Sequence, residues 1–109
     1  MQYEEAISEF SLALHYGNLS QNDTAMAYSN RGLAYFLRQD NQSALKDFNS
    51  ALAIDPAYEP ALNGRAPNYV AAGELDKALA DAEAAHLANP SSSDPINTRG
   101  VARMYKGQL

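Results

Sequence analysis

Tyr28-x-x-Arg31-Gly32-x-x-Tyr35, then Ala44-x-x-x-Phe48, Ala51 and Asp55-Pro56, is the stretch that decides the fold, because it recurs. At the offset that carries Arg31 to Arg65, the chain presents Leu62, Arg65, Ala66, Tyr69, Ala78, Ala82, Ala85 and Asn89-Pro90 in the corresponding positions. A third partial copy follows at Ile96, Arg99 and Gly100, and an earlier half-copy reads Tyr3-Glu4-Glu5-Ala6-x-x-x-Phe10 with Ala13. A fixed period of about 20 to 50 residues signifies stacked supersecondary units, whose usual product is an extended binding surface and not a catalytic pocket.

Apolar spacing and its punctuation predict helices over about 2–16, 23–38, 41–54, 58–72, 75–88 and 93–106. The first places Ala6, Phe10, Ala13 and Leu14 on one face and stops at Gly17-Asn18. The second takes Asp23 or Thr24 as its cap and carries Tyr28, Gly32, Tyr35 and Phe36 inward. Pro56 and Pro90 fall just beyond helix ends, where a missing N–H costs little. Gly32 and Gly100 on one helix, facing Ala44 and Ala78 on the next, let paired helices approach closely. Phe48 is expected to fill the gap between adjacent units, and Ala82 in its place to leave a looser seam. The segment 17–22 is read as a bulged loop, since Ala6 and Ala44 stand further apart in the chain than Ala44 and Ala78.

The pattern resembles the tetratricopeptide repeat family: an aromatic, an apolar residue with Gly, a Tyr, then Ala, an aromatic and Pro, in a helix-turn-helix unit of about 34 residues. Arg31, Arg65 and Arg99 stand where that family usually has Leu, Ala66 where it has Gly, Ala82 where it has an aromatic, and Arg103 where it has Tyr. The Arg-Gly form is similar to that of bacterial members. The resemblance implies an all-α, right-handed superhelical solenoid of antiparallel helix pairs, with about six helices in a single array over 1–109. Residues 1–17 form the second helix of a partial repeat, 25–58 and 59–92 full repeats, and 93–109 the first helix of another partial repeat. Both terminal helices are thereby expected to present an apolar face with no partner inside the chain, as in a piece of a longer array or in molecules that join end to end.

At 109 residues and 46% apolar, the chain buries a core only if neighbouring units share it. Its net charge of -5 offers no basic stripe, which argues against nucleic acid and anionic membranes as partners. No apolar run approaches the ~18 residues of a membrane span, and the first residues lack a signal-peptide pattern. Cysteine is absent, which removes disulfide, thiolate-metal and Cys-nucleophile chemistry and leaves the compartment open, with the cytoplasm favoured. His15 and His86 are single and far apart in sequence, the carboxylates do not cluster with them at metal-ligand spacing, and no Gly-rich phosphate loop is present. No enzyme, metal or cofactor reading has residue support. Triplets beginning at Asn18, Asn22 and Asn41 match the glycosylation acceptor, a pattern common by chance.

An acid stands three residues after the key Ala of each second helix: Glu9, Asp47 and Asp81. Arg31 with Asp47, and Arg65 with Asp81, are therefore expected to pair across their helix hairpins and fix their register. The alternative is an arginine row that grips an anion. The resemblance further implies ligand binding on a concave face built from the first helix of each unit. That face comprises Met26, Ser29, Asn30, Leu33, Phe36 and Leu37, then Asn63, Gly64, Pro67, Val70 and Ala71, then Asn97, Thr98, Val101, Met104 and Tyr105. The expected ligand-binding set is Asn30, Leu33, Leu37, Asn63, Pro67, Val70, Asn97 and Val101. Asn offers a donor and an acceptor to the amides of an extended peptide. Chaperone-binding members carry a Lys/Arg clamp for a terminal carboxylate on this face; here those places hold neither, which disfavours that partner class. Pro67, inside a helix that the repeat demands, is expected to kink it and free the Asn63 carbonyl. The functional expectation is a protein-protein interaction scaffold for an extended peptide or partner helix. Its rival is head-to-tail self-association that places Arg99 against Glu9.

Overall fold

The computed structural model describes residues 2–90. Five α-helices make up the described residues: α1 (Gln2–Tyr16), α2 (Gln21–Leu37), α3 (Asn41–Ile54), α4 (Glu59–Ala71) and α5 (Leu75–Ala88). The helix expected over 93–106, with Asn97, Arg99, Gly100 and Val101, lies outside them. The chain divides into two compact units, Met1–Pro56 and Ala57–Leu109.

In the first unit α2 packs against both α1 and α3. Its start differs from the sequence expectation: the cap is Ser20, whose Oγ accepts the Asp23 N–H at 3.1 Å, while the Thr24 hydroxyl donates to the Ser20 carbonyl at 2.7 Å. Asp23 and Thr24, both good capping residues, instead occupy the first turn, and the loop before α2 shortens accordingly. At its other end the Asp40 N–H bonds the Tyr35 carbonyl and the Gln39 N–H the Phe36 carbonyl, both at 2.9 Å. This double closure places Gln39 in the left-handed region, φ 70°. Asp40 then caps α3 by accepting the Ser43 N–H at 3.2 Å. Hydrogen bonds from the Ser43 side chain and backbone hold the Asp40 carboxyl below its ordinary range.

Gly32 explains how closely α2 and α3 meet. A Cβ built there would stand 3.0 Å from the Phe48 ring and 3.2 Å from the Ala44 carbonyl oxygen. Phe48 is fully buried, with its ring on Gly32 inside the hairpin, and Ala44 and Ala51 are buried with it. This places a contact of Phe48 within the hairpin, which the sequence reading does not assign to it. Burying a side chain of this class is worth about 1.5–3 kcal/mol.

The second unit repeats the hairpin with α4 and α5. Its turn closes in the same way, the Glu74 N–H to the Tyr69 carbonyl at 2.8 Å and the Gly73 N–H to Val70 at 3.0 Å, with Gly73 at φ 78°. Gly73 takes this conformation without a Cβ penalty, and Gln39, its counterpart in the preceding repeat, does not. Pro67 sits inside α4, which continues to Ala71. Ala66 and Ala82 replace the Gly32 and Phe48 of the first hairpin, and both are fully buried. One methyl group on α4 and the loss of a ring on α5 are complementary changes in the same space.

Candidate functional site

The two repeat arginines among the described residues, Arg31 and Arg65, are spent on the fold. Arg31 donates from Nε to Asp47 Oδ2 and from Nη2 to Asp47 Oδ1, both at 2.7 Å, and from Nη1 to Ser11 Oγ of α1 at 3.0 Å. Arg65 makes the same fork to Asp81, at 2.7 and 2.8 Å. Both ion pairs expected from the period are present. Hydrogen bonds donated to the partner carboxylates raise each guanidinium pKa further, against a smaller opposing effect of burial. Tyr28 and Tyr35 lie 5.7 and 5.9 Å from the Arg31 guanidinium, and Tyr69 lies 5.4 Å from that of Arg65. With all three nitrogens of Arg31 engaged inside the fold and Arg65 forked to Asp81, these two arginines are structural and do not form an anion grip, while Arg99 lies outside the described residues.

Beyond its first turn, α2 leaves mainly apolar side chains to solvent. Met26, Leu33 and Leu37 are 46%, 47% and 49% exposed, and Asn30 is exposed between them. Their spacing sets all of them on one helical face. Ser29, assigned to this face from the sequence, is buried, and Phe36 is half-buried. On α4 the corresponding Asn63, Gly64, Pro67 and Val70 are half-buried and Ala71 is exposed. Asn97, Thr98, Val101, Met104 and Tyr105 lie outside the described residues.

Within the first unit the exposed stripe forms one wall of a cleft of about 460 Å³. Asn30, Leu33 and Leu37 of α2 face Tyr3, Ala6 and Phe10 of α1 across it. The sequence reading names Asn30, Leu33 and Leu37 for a ligand face, and places Ala6 and Phe10 on an apolar face of the first helix without joining the two into one cleft. The cation near its rim, Arg38, pairs with Glu4 at 3.5 Å, with both side chains largely exposed. Among the described residues no group of three or more His, Asp or Glu is placed to hold a metal ion, and no helix is long and apolar enough to cross a membrane. His15 is exposed, with its ring edge-on to Tyr16 at 4.4 Å.

One polar residue escaped the sequence reading altogether. Asn68 on α4 is buried, and neither its Nδ2 nor its Oδ1 has a hydrogen-bond partner among the described residues. Its counterpart in the first repeat is Ala34, a mismatch that the repeat register would have shown.

The tetratricopeptide repeat family profile matches residues 25–58, which contain Arg31-Gly32 and Asp55-Pro56. The chain belongs to the tetratricopeptide repeat family. The heat-shock protein cognate co-chaperone sgt12 of Aspergillus fumigatus is 36% identical over 80 residues, covering 70% of this chain and 24% of that protein. The chain thus matches about a quarter of this relative's length. The second tetratricopeptide domain of human RPAP3, solved with the HSP70 peptide SGPTIEEVD, superposes with a TM-score of 0.80 at 25% identity, covering 93% of this chain and 81% of that one. The first such domain of Spaghetti, solved with an HSP90 peptide, reaches a TM-score of 0.88 at 23% identity over 97% of this chain and 81% of that one, a likeness of fold. The tetratricopeptide repeats of this chain are all-α helix hairpins, as the sequence implied.

Proposed function

We propose that this tetratricopeptide chain is a non-enzymatic interaction scaffold that binds an extended peptide or partner helix along the first-helix faces of its repeats. The observation that carries the proposal is the exposed Met26, Asn30, Leu33 and Leu37 stripe, presented by a hairpin whose arginines are neutralised internally. Apolar side chains seat on such a stripe, and Asn30 supplies both a donor and an acceptor for peptide amides. Asn63, Pro67 and Val70, with Asn97 and Val101, belong to the same proposal, as does the right-handed superhelical course of the repeats.

The chemistry of the peptide follows from charge. The RPAP3 domain was solved with a peptide ending in Glu-Glu-Val-Asp. The exposed α2 stripe here holds no Lys or Arg, and the chain carries a net charge of -5. An uncharged or cationic peptide with spaced apolar side chains therefore fits this face better than an acidic terminus. An NMR titration with a neutral apolar peptide pool and, separately, with SGPTIEEVD tests this. Shifts at Asn30, Leu33, Leu37, Asn63 and Val70 with the neutral pool, weakly dependent on salt, are expected. Shifts confined to α3 and α5, or tighter binding of the acidic peptide, refute it.

A further inference from the structure

The cleft between α1 and α2 has the form of a helix seat. On α3, Ala44 and Phe48 receive Gly32 of α2 at contact distance and are buried by it. Ala6 and Phe10 occupy the same repeat positions on α1, yet both are only half-buried and line the open cleft. The acid follows the same logic. Asp47, three residues after Ala44, takes both fork bonds of Arg31. Glu9, three residues after Ala6, is exposed. The seat therefore asks for an Arg-Gly helix, with Gly over Ala6 and Phe10 and Arg beside Glu9.

The sequence contains two Arg-Gly pairs, Arg31-Gly32 and Arg99-Gly100, and the first is already engaged with α3. The second lies in a segment of complementary charge. From Ile96 to Leu109 the chain carries Arg99, Arg103 and Lys106 and no acid, whereas α1 carries Glu4, Glu5 and Glu9 and no Lys or Arg. We propose that the α1–α2 cleft is the docking seat for residues 93–106 of a second copy of this chain, with Gly100 packed on Ala6 and Phe10 and Arg99 paired to Glu9. The contact is heterologous, so repetition closes a ring or extends a filament according to the rotation between copies. It also covers Leu33 and Leu37, so self-docking competes with a peptide on the α2 stripe, and it stands whether or not a peptide binds there.

Sedimentation velocity of the full chain from about 10 micromolar to about 1 millimolar, without peptide, tests the proposal. The mass should rise with concentration and fall back as salt screens the pairing. Arg99→Glu and Glu9→Arg should each weaken association about tenfold or more, and the double exchange should recover most of it. Gly100→Leu should weaken it similarly by overfilling the seat. Circular dichroism melts identify variants that remain folded, and the absence of native cysteine allows a folding-neutral cross-check. Glu9→Cys mixed with Arg99→Cys should give a mixed disulfide dimer. A monomeric mass throughout, with the wild-type chain folded, overturns the proposal. So does association that is lost with Ala6→Trp but unchanged by Arg99→Glu and Gly100→Leu, which would assign the cleft to another segment.

Discussion

Arg31 and Asp47 share one fork of hydrogen bonds, but their surroundings make their removal unequal. Asp47 is 4% exposed at its side chain and Arg31 20%, and Arg31 keeps Ser11 when Asp47 is lost. Arg31→Met leaves a buried carboxylate without either charge-assisted bond, which costs about 3–5 kcal/mol for an enclosed pair and sits toward the lower end here because the arginine is partly solvated. Asp47→Leu leaves a guanidinium that still bonds Ser11 and reaches water, a loss of about 1–2 kcal/mol. The double variant removes the unsatisfied charge with its partner, so the cycle should show a coupling of about 2 kcal/mol. Urea melts of the four proteins, followed by far-ultraviolet circular dichroism, measure all of these. A coupling under about 0.5 kcal/mol, or a larger loss for Asp47→Leu than for Arg31→Met, would refute the claim that this fork locks the hairpin.

Ala82→Phe should lose about 1–3 kcal/mol by overpacking against Ala66, and adding Ala66→Gly should return part of the loss, as equilibrium melts would show. Gln39→Gly should stabilise the chain by about 0.5–1 kcal/mol, since it relieves a left-handed backbone that Gly73 already holds without strain; a lower melting temperature would contradict that. Asn68→Ala should be stabilising by about 1–2 kcal/mol in the same melts, because it removes two buried polar groups that have no partner among the described residues. For Asp40 the folded-state pKa lies below its ordinary 3.8, so its contribution to the α3 cap is present above that value and is lost as pH falls through the depressed one. The stability gap between the wild type and Asp40→Ala should therefore be constant near neutrality and close in acid.

The repeat register made most of the fold legible before any coordinate. A side chain one repeat away from its counterpart meets an equivalent neighbour, so Arg31-Asp47 predicted Arg65-Asp81 and the Gly32-Ala44 approach predicted a close hairpin. Where the register could not help, the sequence misled. Asp23 and Ser20 are both capping residues, and only backbone geometry decides that Ser20 closes α2. Ser29 is small and polar, as a groove residue should be, but falls on the buried side of α2. Gln39 carries no mark of its left-handed backbone except its alignment with Gly73. The α2 side of the cleft is named through the family resemblance, with helical spacing placing Met26, Asn30, Leu33 and Leu37 on one face. The open apolar face of α1 is also expected, but Ala6 and Phe10 are core-like in type, and only the packing shows that they line the same cleft as Leu33 and Leu37.

That half-open face ties stability to occupancy. None of the residues of α1 is buried, in contrast to every other helix of the described chain. Its polar anchors are the Arg31 bond to Ser11 and the exposed Arg38–Glu4 pair, and exposed ion pairs contribute little. A helix with few buried contacts opens at the low end of the free-energy range, ahead of the global transition. Any occupant that covers Ala6 and Phe10 would bury surface on α1 and α2 together, so binding and the closing of α1 are one linked equilibrium. Amide exchange should therefore slow along α1 in proportion to cleft occupancy, while the Gly32–Phe48 hairpin stays as it was. The hairpin supplies the rigid frame; α1 is the element whose order reports that the seat is filled.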